Sequence, residues 1–293
     1  MRHELSLLVA AGLVVSLTAC GGSDTNGDTD AAPTTAEATT IAEPDDSDTG
    51  PFPAGESVDL LYISDSGRAN VAERYADLAA EELNREVRLN REVDANPQAI
   101  RTRFAEEVAG AEIIVFYFNS AAFVRFFPEP NINAGCFTSL DALEDPDYSG
   151  PEWTPGTKWE PVPVVPTAEN WSPYGEWLGD VYEAIWEVRE GRPVVLRAHD
   201  IYNPWFAPWT ELGVEAECTA IWEGQTQAIR EAAEANGAVF VSFFDLFNGP
   251  DHDQDPRAKG WIGEDGMHAS VDGGAAAAEA LAAVGFELSE PPG

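Results

Sequence analysis

The chain is poor in positive charge. Its 293 residues include 16 Lys and Arg against 52 Asp and Glu, a formal net charge of −36, and only two of the cations, Lys158 and Lys259, are lysines. So negative a surface repels phosphate backbones and anionic headgroups, which argues against nucleic acid or acidic lipid as a partner. Salt adaptation and the Arg-over-Lys bias of a GC-rich genome account for the excess equally well. Cysteine is scarce too, with three in the chain. Neither Cys136 nor Cys218 has a second Cys or a His at ligand spacing, so no metal site and no cofactor are expected. Neither has a basic neighbour to lower its pKa, which argues against thiol catalysis. Of four histidines, His3 lies in the leader described below, leaving His199, His252 and His268. No repeat at solenoid periods is visible.

Long apolar runs are confined to the start. Arg2 and His3 precede Leu5 to Leu17, too short for a bilayer span and flanked as in a signal peptide. Leu17-Thr18-Ala19-Cys20-Gly21 resembles a bacterial lipobox, which implies cleavage before Cys20 and lipid on its thiol. Residues 1–19 then form the leader. Residues 20–55 form an acidic, Thr- and Pro-rich tether with almost no large apolar side chain before Phe52. The expected location is extracytoplasmic, on the cell membrane through the lipid of Cys20. In such a compartment the remaining pair, Cys136 and Cys218, most simply forms a disulfide.

Residues 56–293 have the composition of a folded domain, in a chain that is 44% apolar with nine Trp and fourteen Phe. Val58 to Ile63 reads as a buried strand, stops in Ser64-Asp65-Ser66-Gly67, and gives way to a helical pattern from Ala69 to Leu83. Val87 to Val93 alternates as a second strand. Asn96-Pro97 caps a helix expected to reach Val108 and stop at Gly110. Ala111 to Phe118 is a strand apolar enough to lie inside a parallel sheet, ending at Asn119-Ser120. Eight prolines interrupt residues 121–171, read as an insertion over the sheet edge. A helix from Ser172-Pro173, a strand from Pro193 to Ala198, a helix from Val214 to Asn236 and a strand from Ala238 to Phe244 follow. A polar loop leads to Asp265-Gly266-Met267-His268 and a last Ala-rich helix, Gly273 to Val284. This order predicts a three-layer α/β/α sandwich, flavodoxin-like, around a mostly parallel sheet of about five strands.

In such a sheet the strand ends point to one side, so Ser66, Asn119, Asp265 and His268 collect there. By itself Ser66 reads first as a helix cap and only second as a nucleophile; a base at the same sheet edge reverses that order. Among candidate bases His268 has an acid three residues before it, able to fix the imidazole tautomer. His199, beside Asp200, reads as a packing or loop-anchoring residue, with general base as its second reading. His252, in Asp251-His252-Asp253, reads as solvated or as a weak cation site.

Ser64-Asp65-Ser66 before a helix, an Asn after the third strand and Asp-x-x-His near the C-terminus together resemble the SGNH hydrolases, the GDSL lipase/esterase family. The resemblance covers about residues 56–287. It implies Ser66 as nucleophile and oxyanion donor through its N–H, Asn119 as side-chain oxyanion donor, His268 as general base and Asp265 as its orienting acid. The implied activity is ester hydrolysis through an acyl-enzyme, on lipid esters or acylated glycans, with aromatics of the insertion and of Tyr202–Trp209 forming a rim. The chain departs from the pattern in Ser64, which stands where the family has Gly, and in Tyr117-Phe118, which precede Asn119 without a Gly. Asp94-Ala95-Asn96-Pro97 also lacks the Gly of the second block. A lipoprotein of this fold that binds an envelope glycan without turnover is the alternative.

Overall fold

The computed structural model describes Phe52 and residues 57–64, 69–93, 96–117, 168–213 and 215–293. All lie in one unit, Ser47–Gly293. The first strand, β1 (Val58–Ser64), is buried along almost its whole length, as its near-continuous apolar sequence requires of a central parallel strand. Helix α1 (Ala69–Leu83) follows, and then β2 (Val87–Val93), which exposes alternate residues as an edge strand. Two short helices, α2 (Pro97–Arg101) and α3 (Ala105–Gly110), replace the single helix expected here. Asn96 caps the first as predicted, its side chain accepting from the Ala99 N–H at 3.0 Å. The break comes at Thr102–Phe104, where the Thr102 and Phe104 amides both turn back to the Ala99 carbonyl. β3 (Ile113–Phe116) is wholly buried.

Helix α4 (Ala168–Val188) starts four residues before the expected Ser172 and carries Pro173 within it. Then come β4 (Val195–His199), α5 (Phe206–Leu212), α6 (Glu215–Ala235), β5 (Val239–Val241), α7 (Phe243–Asn248) and α8 (Val271–Ala283). Gly213, with φ +68°, closes α5 in the left-handed conformation that glycine adopts without strain.

All strands pair in parallel, in the order β2-β1-β3-β4-β5. This is the doubly wound arrangement predicted from sequence. Side chains alternate between its two faces. Leu60, Tyr62, Ile113, Val115 and Val195 pack with α1 and α8, while Leu61, Ile63, Ile114, Phe116 and Leu196 pack with α2, α3, α4 and α6. Between α4 and α6 the fit is close. A Cβ on Gly224 would stand 2.2 Å from Nε1 of Trp171. Buried Arg197 on β4 ties the sheet to the C-terminal segment, its Nη2 donating to the Gly285 carbonyl at 2.7 Å. No helix of the described residues is long and apolar enough to cross a membrane.

The strand order reverses between β1 and β3, because the chain moves to β2 on one side of β1 and to β3 on the other. Ligands of such sheets bind outside the carboxyl ends of the strands at this point. The register is tight there: Ile63 pairs with Phe116, and the Tyr117 N–H donates to the Ile63 carbonyl at 2.9 Å.

The segment before α8 is a small hairpin. Ile262 bridges Ala269 antiparallel; the Gly263 N–H donates to the His268 carbonyl at 2.7 Å and the Ser270 N–H to the Trp261 carbonyl at 2.9 Å. Ser270 then caps α8, accepting from the Gly273 N–H at 3.1 Å. The first turn of α8 rests directly on this hairpin, and a Cβ on Gly273 would stand 2.2 Å from the Trp261 carbonyl oxygen. Both parties are backbone and neither can rotate away. Gly273→Ala is therefore expected to destabilise the fold by roughly 1–3 kcal/mol, the usual cost of overpacking. Urea unfolding of the two proteins checks it, and an unchanged midpoint would show that the hairpin yields freely.

Candidate active site

Asp265 and His268 form a hydrogen-bonded pair at the tip of this hairpin. The His268 Nδ1–H donates to Asp265 Oδ2 at 2.6 Å. The other carboxylate oxygen, Oδ1, accepts from the backbone N–H groups of Met267 at 3.0 Å and His268 at 2.9 Å. Partial burial pushes the Asp265 carboxyl up, but these three hydrogen bonds and the charge of His268 outweigh it and hold the group below its ordinary value. A carboxylate only accepts, so Nδ1 carries the proton and Nε2 of the neutral ring carries the lone pair. Among the described residues Nε2 has no hydrogen-bond partner. The side chains are 48% and 47% exposed, so this lone pair is open to a reactant.

The pair is exposed but its frame is held. Every carbonyl from Gly266 to Ser270 has a donor. Arg257 Nη2 reaches Gly266 at 2.9 Å, Tyr202 OH reaches Met267 at 3.1 Å, and the Gly263 N–H takes His268. Asn70 Nδ2 serves both Ala269 and Ser270 at 3.0 Å. Tyr202 lies just beyond the carboxyl end of β4, and Asn70 is in the first turn of α1, the helix entered from β1. The hairpin is thereby fastened to the carboxyl edge of the sheet.

Two partners expected from the sequence, Ser66 and Asn119, lie outside the described residues, as do Cys20 and Cys136. By sequence they follow the ends of β1 and β3, the two strands that flank the switch point. Cys218 is buried on α6 and is not a free thiol.

The other histidines differ from His268 in surroundings. His199 is fully buried. It is stacked between Tyr117 and Phe243, with ring centroids 4.5 Å and 4.0 Å away. Nδ1 lies 2.7 Å from the Asp200 carbonyl and must donate to it; Nε2, in the neutral ring, accepts from Tyr62 OH at 2.7 Å. Both nitrogens are used, so His199 bolts β1 to β4 as a packing residue. His252 is not solvated, contrary to the expectation. Its side chain is 13% exposed, stacks on Phe244, and reaches Glu223 at 3.1 Å and Asp245 at 2.8 Å. Both ring nitrogens face carboxylates. Among the described residues no three His, Cys, Asp or Glu are grouped to hold a metal ion.

The aromatic rim expected of Tyr202–Trp209 is also corrected. Tyr202, Trp205 and Trp209 are buried, the two Trp packing edge-on against Trp222, because burial of large rings outweighs their exposure at a loop.

Asp200 was not singled out by sequence reasoning beyond its place beside His199. Its carboxylate is completely buried and accepts from Thr226 Oγ1, Ser242 Oγ and the N–H groups of Phe243 and Phe244, at 2.8, 3.0, 2.5 and 3.1 Å. Burial raises its pKa to about 6 against the pull of these donors. It caps α7 from a distance and belongs to the frame of the site.

No protein-family model and no curated protein matches this chain. Among solved structures, a protein from Parabacteroides merdae ATCC 43184 described as a GDSL-like lipase aligns over 78% of this chain and 96% of its own, at 12% identity and a TM-score of 0.44. So distant a likeness carries no inference about chemistry.

Proposed function

We propose that the chain is an extracytoplasmic serine ester hydrolase of the SGNH type. The observation that carries the reading is the Asp265–His268 pair: an ionised carboxylate fixing the tautomer of a half-exposed imidazole, on a frame fastened beside the switch point of the sheet. Ser66 Oγ attacks the acyl carbon of the ester and its proton passes to His268 Nε2. The oxyanion so formed is held by the Asn119 side-chain amide and the Ser66 N–H. Collapse expels the alcohol, which takes the proton from Nε2. Water, deprotonated by the same nitrogen, then attacks the acyl-serine, and collapse breaks the bond to Ser66 Oγ, which takes the proton back from Nε2 as the acid leaves. Asp265 stays ionised throughout and stabilises the imidazolium. The substrate class is a lipid ester or an acylated glycan. Lipid on Cys20 would tether the domain to the membrane through residues 20–55, and Cys136 would pair with Cys218.

A fluorophosphonate probe tests this directly. The folded protein is expected to be labelled at one serine, with labelling lost in Ser66→Ala, and to hydrolyse short p-nitrophenyl esters. Labelling that persists in Ser66→Ala would exclude Ser66 as the nucleophile. Absence of both labelling and hydrolysis in the wild type would leave a binding protein of this fold.

A further inference from the structure

We infer that Asn70 is a positioning residue for His268, an inference that rests on the hydrolase reading above. Asn70 stands in the first turn of α1, and its side chain is shared between two elements far apart in sequence. Oδ1 accepts from the Val71 N–H at 3.0 Å. Nδ2 donates to the carbonyls of Ala269 and Ser270, each at 3.0 Å. Carbonyls only accept, so this orientation of the amide is the one that satisfies all three contacts.

The two carbonyls matter because of where they sit. They belong to the residues directly after His268, at the point where the hairpin becomes α8. The Ser270 carbonyl also takes the Gly274 N–H at 2.8 Å within the helix, whereas among the described residues no donor besides Asn70 reaches the Ala269 carbonyl. Among the described residues Asn70 is thus the side chain of α1 that hydrogen-bonds to the hairpin, while Tyr202 and Arg257 fix it to other parts of the frame.

Gly274 supplies independent support. A Cβ at that position would stand 2.7 Å from Asn70 Nδ2 and 2.8 Å from its Cγ. Residue 274 therefore has no side chain where Asn70 needs room, and the two helices close on each other at this contact. General bases lose effectiveness steeply with displacement, and about 1 Å can cost about 10²-fold in rate. A half-exposed imidazole has few packing contacts of its own to prevent such a shift, so its backbone anchors set its position. Asn70 does not touch the reacting atoms; it acts through the His268 backbone.

The experiment compares the full chain with Asn70→Asp and Asn70→Ala, and with Gly274→Ala, which crowds Asn70 without removing it. Turnover of p-nitrophenyl acetate is measured alongside amide hydrogen exchange. The expected result is a kcat lower by about 10²-fold with KM within about twofold. Exchange at the Gly263 and His268 amides should quicken by about tenfold or more while the amides of β3 and β4 keep wild-type rates. A kcat within about twofold of wild type in the Asn70 variants, per folded molecule, would overturn the assignment even if stability falls. Should the wild type show no Ser66-dependent turnover, the hydrolase reading fails by itself. The exchange rates then decide the Asn70 anchor separately, and unchanged protection at Gly263 and His268 would overturn it.

Discussion

His268→Ala is expected to abolish ester hydrolysis, lowering kcat/KM by about 10⁴-fold or more while leaving the fold intact. The side chain is half exposed and its hydrogen bond to Asp265 lies at the surface, so little packing is lost with it. On the proposed hydrolase mechanism, what is lost is the base that would receive the serine proton and return it to the leaving alcohol. Asp265→Asn should follow the same direction less steeply, by roughly 10²- to 10⁴-fold. An amide presents the wrong donor to Nδ1 or, turned over, to the backbone N–H groups of Met267 and His268 that the carboxylate now accepts. His199→Phe is the informative comparison. It keeps a ring between Tyr117 and Phe243 but breaks the bonds to Tyr62 and Asp200, so it should cost stability while folded molecules turn over within about tenfold of wild type. Steady-state kinetics with a p-nitrophenyl ester, corrected for the folded fraction, separates the cases. Turnover surviving in His268→Ala but lost in His199→Phe would place the base elsewhere.

Asp200→Ala carries the largest expected effect on stability, about 3–5 kcal/mol. The substitution leaves four donors facing a void: the hydroxyls of Thr226 and Ser242 and the amides of Phe243 and Phe244 at the start of α7. Asp200→Asn should be much milder, since one amide oxygen can still take both backbone N–H groups and the hydroxyls can turn to accept.

The pH dependence separates the charge from the hydrogen bonds. In the folded protein Asp200 keeps its proton to about pH 6, above the ordinary aspartate value of 3.8. Between these values the folded state binds more protons than the unfolded chain, so the contribution of Asp200 to stability falls as pH rises through this window. It is fully present below the lower value and constant above the upper one. The fall is on the order of 3 kcal/mol. Relative to wild type, Asp200→Asn should gain about that amount between pH 4 and pH 7, because it has no charge to bury. Denaturant titrations of both proteins at several pH values measure the difference. A gap that stays flat across the window would mean that the buried carboxyl is already ionised at pH 4.

Stretches whose structure depends on near neighbours were legible in the sequence. β1, α1 and β2 run as their apolar patterns require, and Asn96 caps α2 through a contact three residues long. The pairing of Asp265 with His268 was legible for the same reason, since both partners lie in one tight turn. A mostly parallel sheet of about five strands followed from alternating strands and helices, which leave few other ways to bury both sheet faces.

Tertiary structure decided what depended on distant partners. Val239 to Phe244 has strand composition, yet the strand ends at Val241 and a helix starts at Phe243. Its first amides are taken by the carboxylate of Asp200, 43 residues earlier, and local propensity is too weak to oppose that cap. Burial of Tyr202, Trp205 and Trp209 likewise came from Phe247 and Trp222 across the fold, not from the loop that carries them. Sequence alone determined that an acid and a histidine stand one turn apart. Only the fold placed the hairpin that bears them against α1 and the end of β4, because those contacts join residues roughly 65 to 200 positions apart, and no local pattern encodes them.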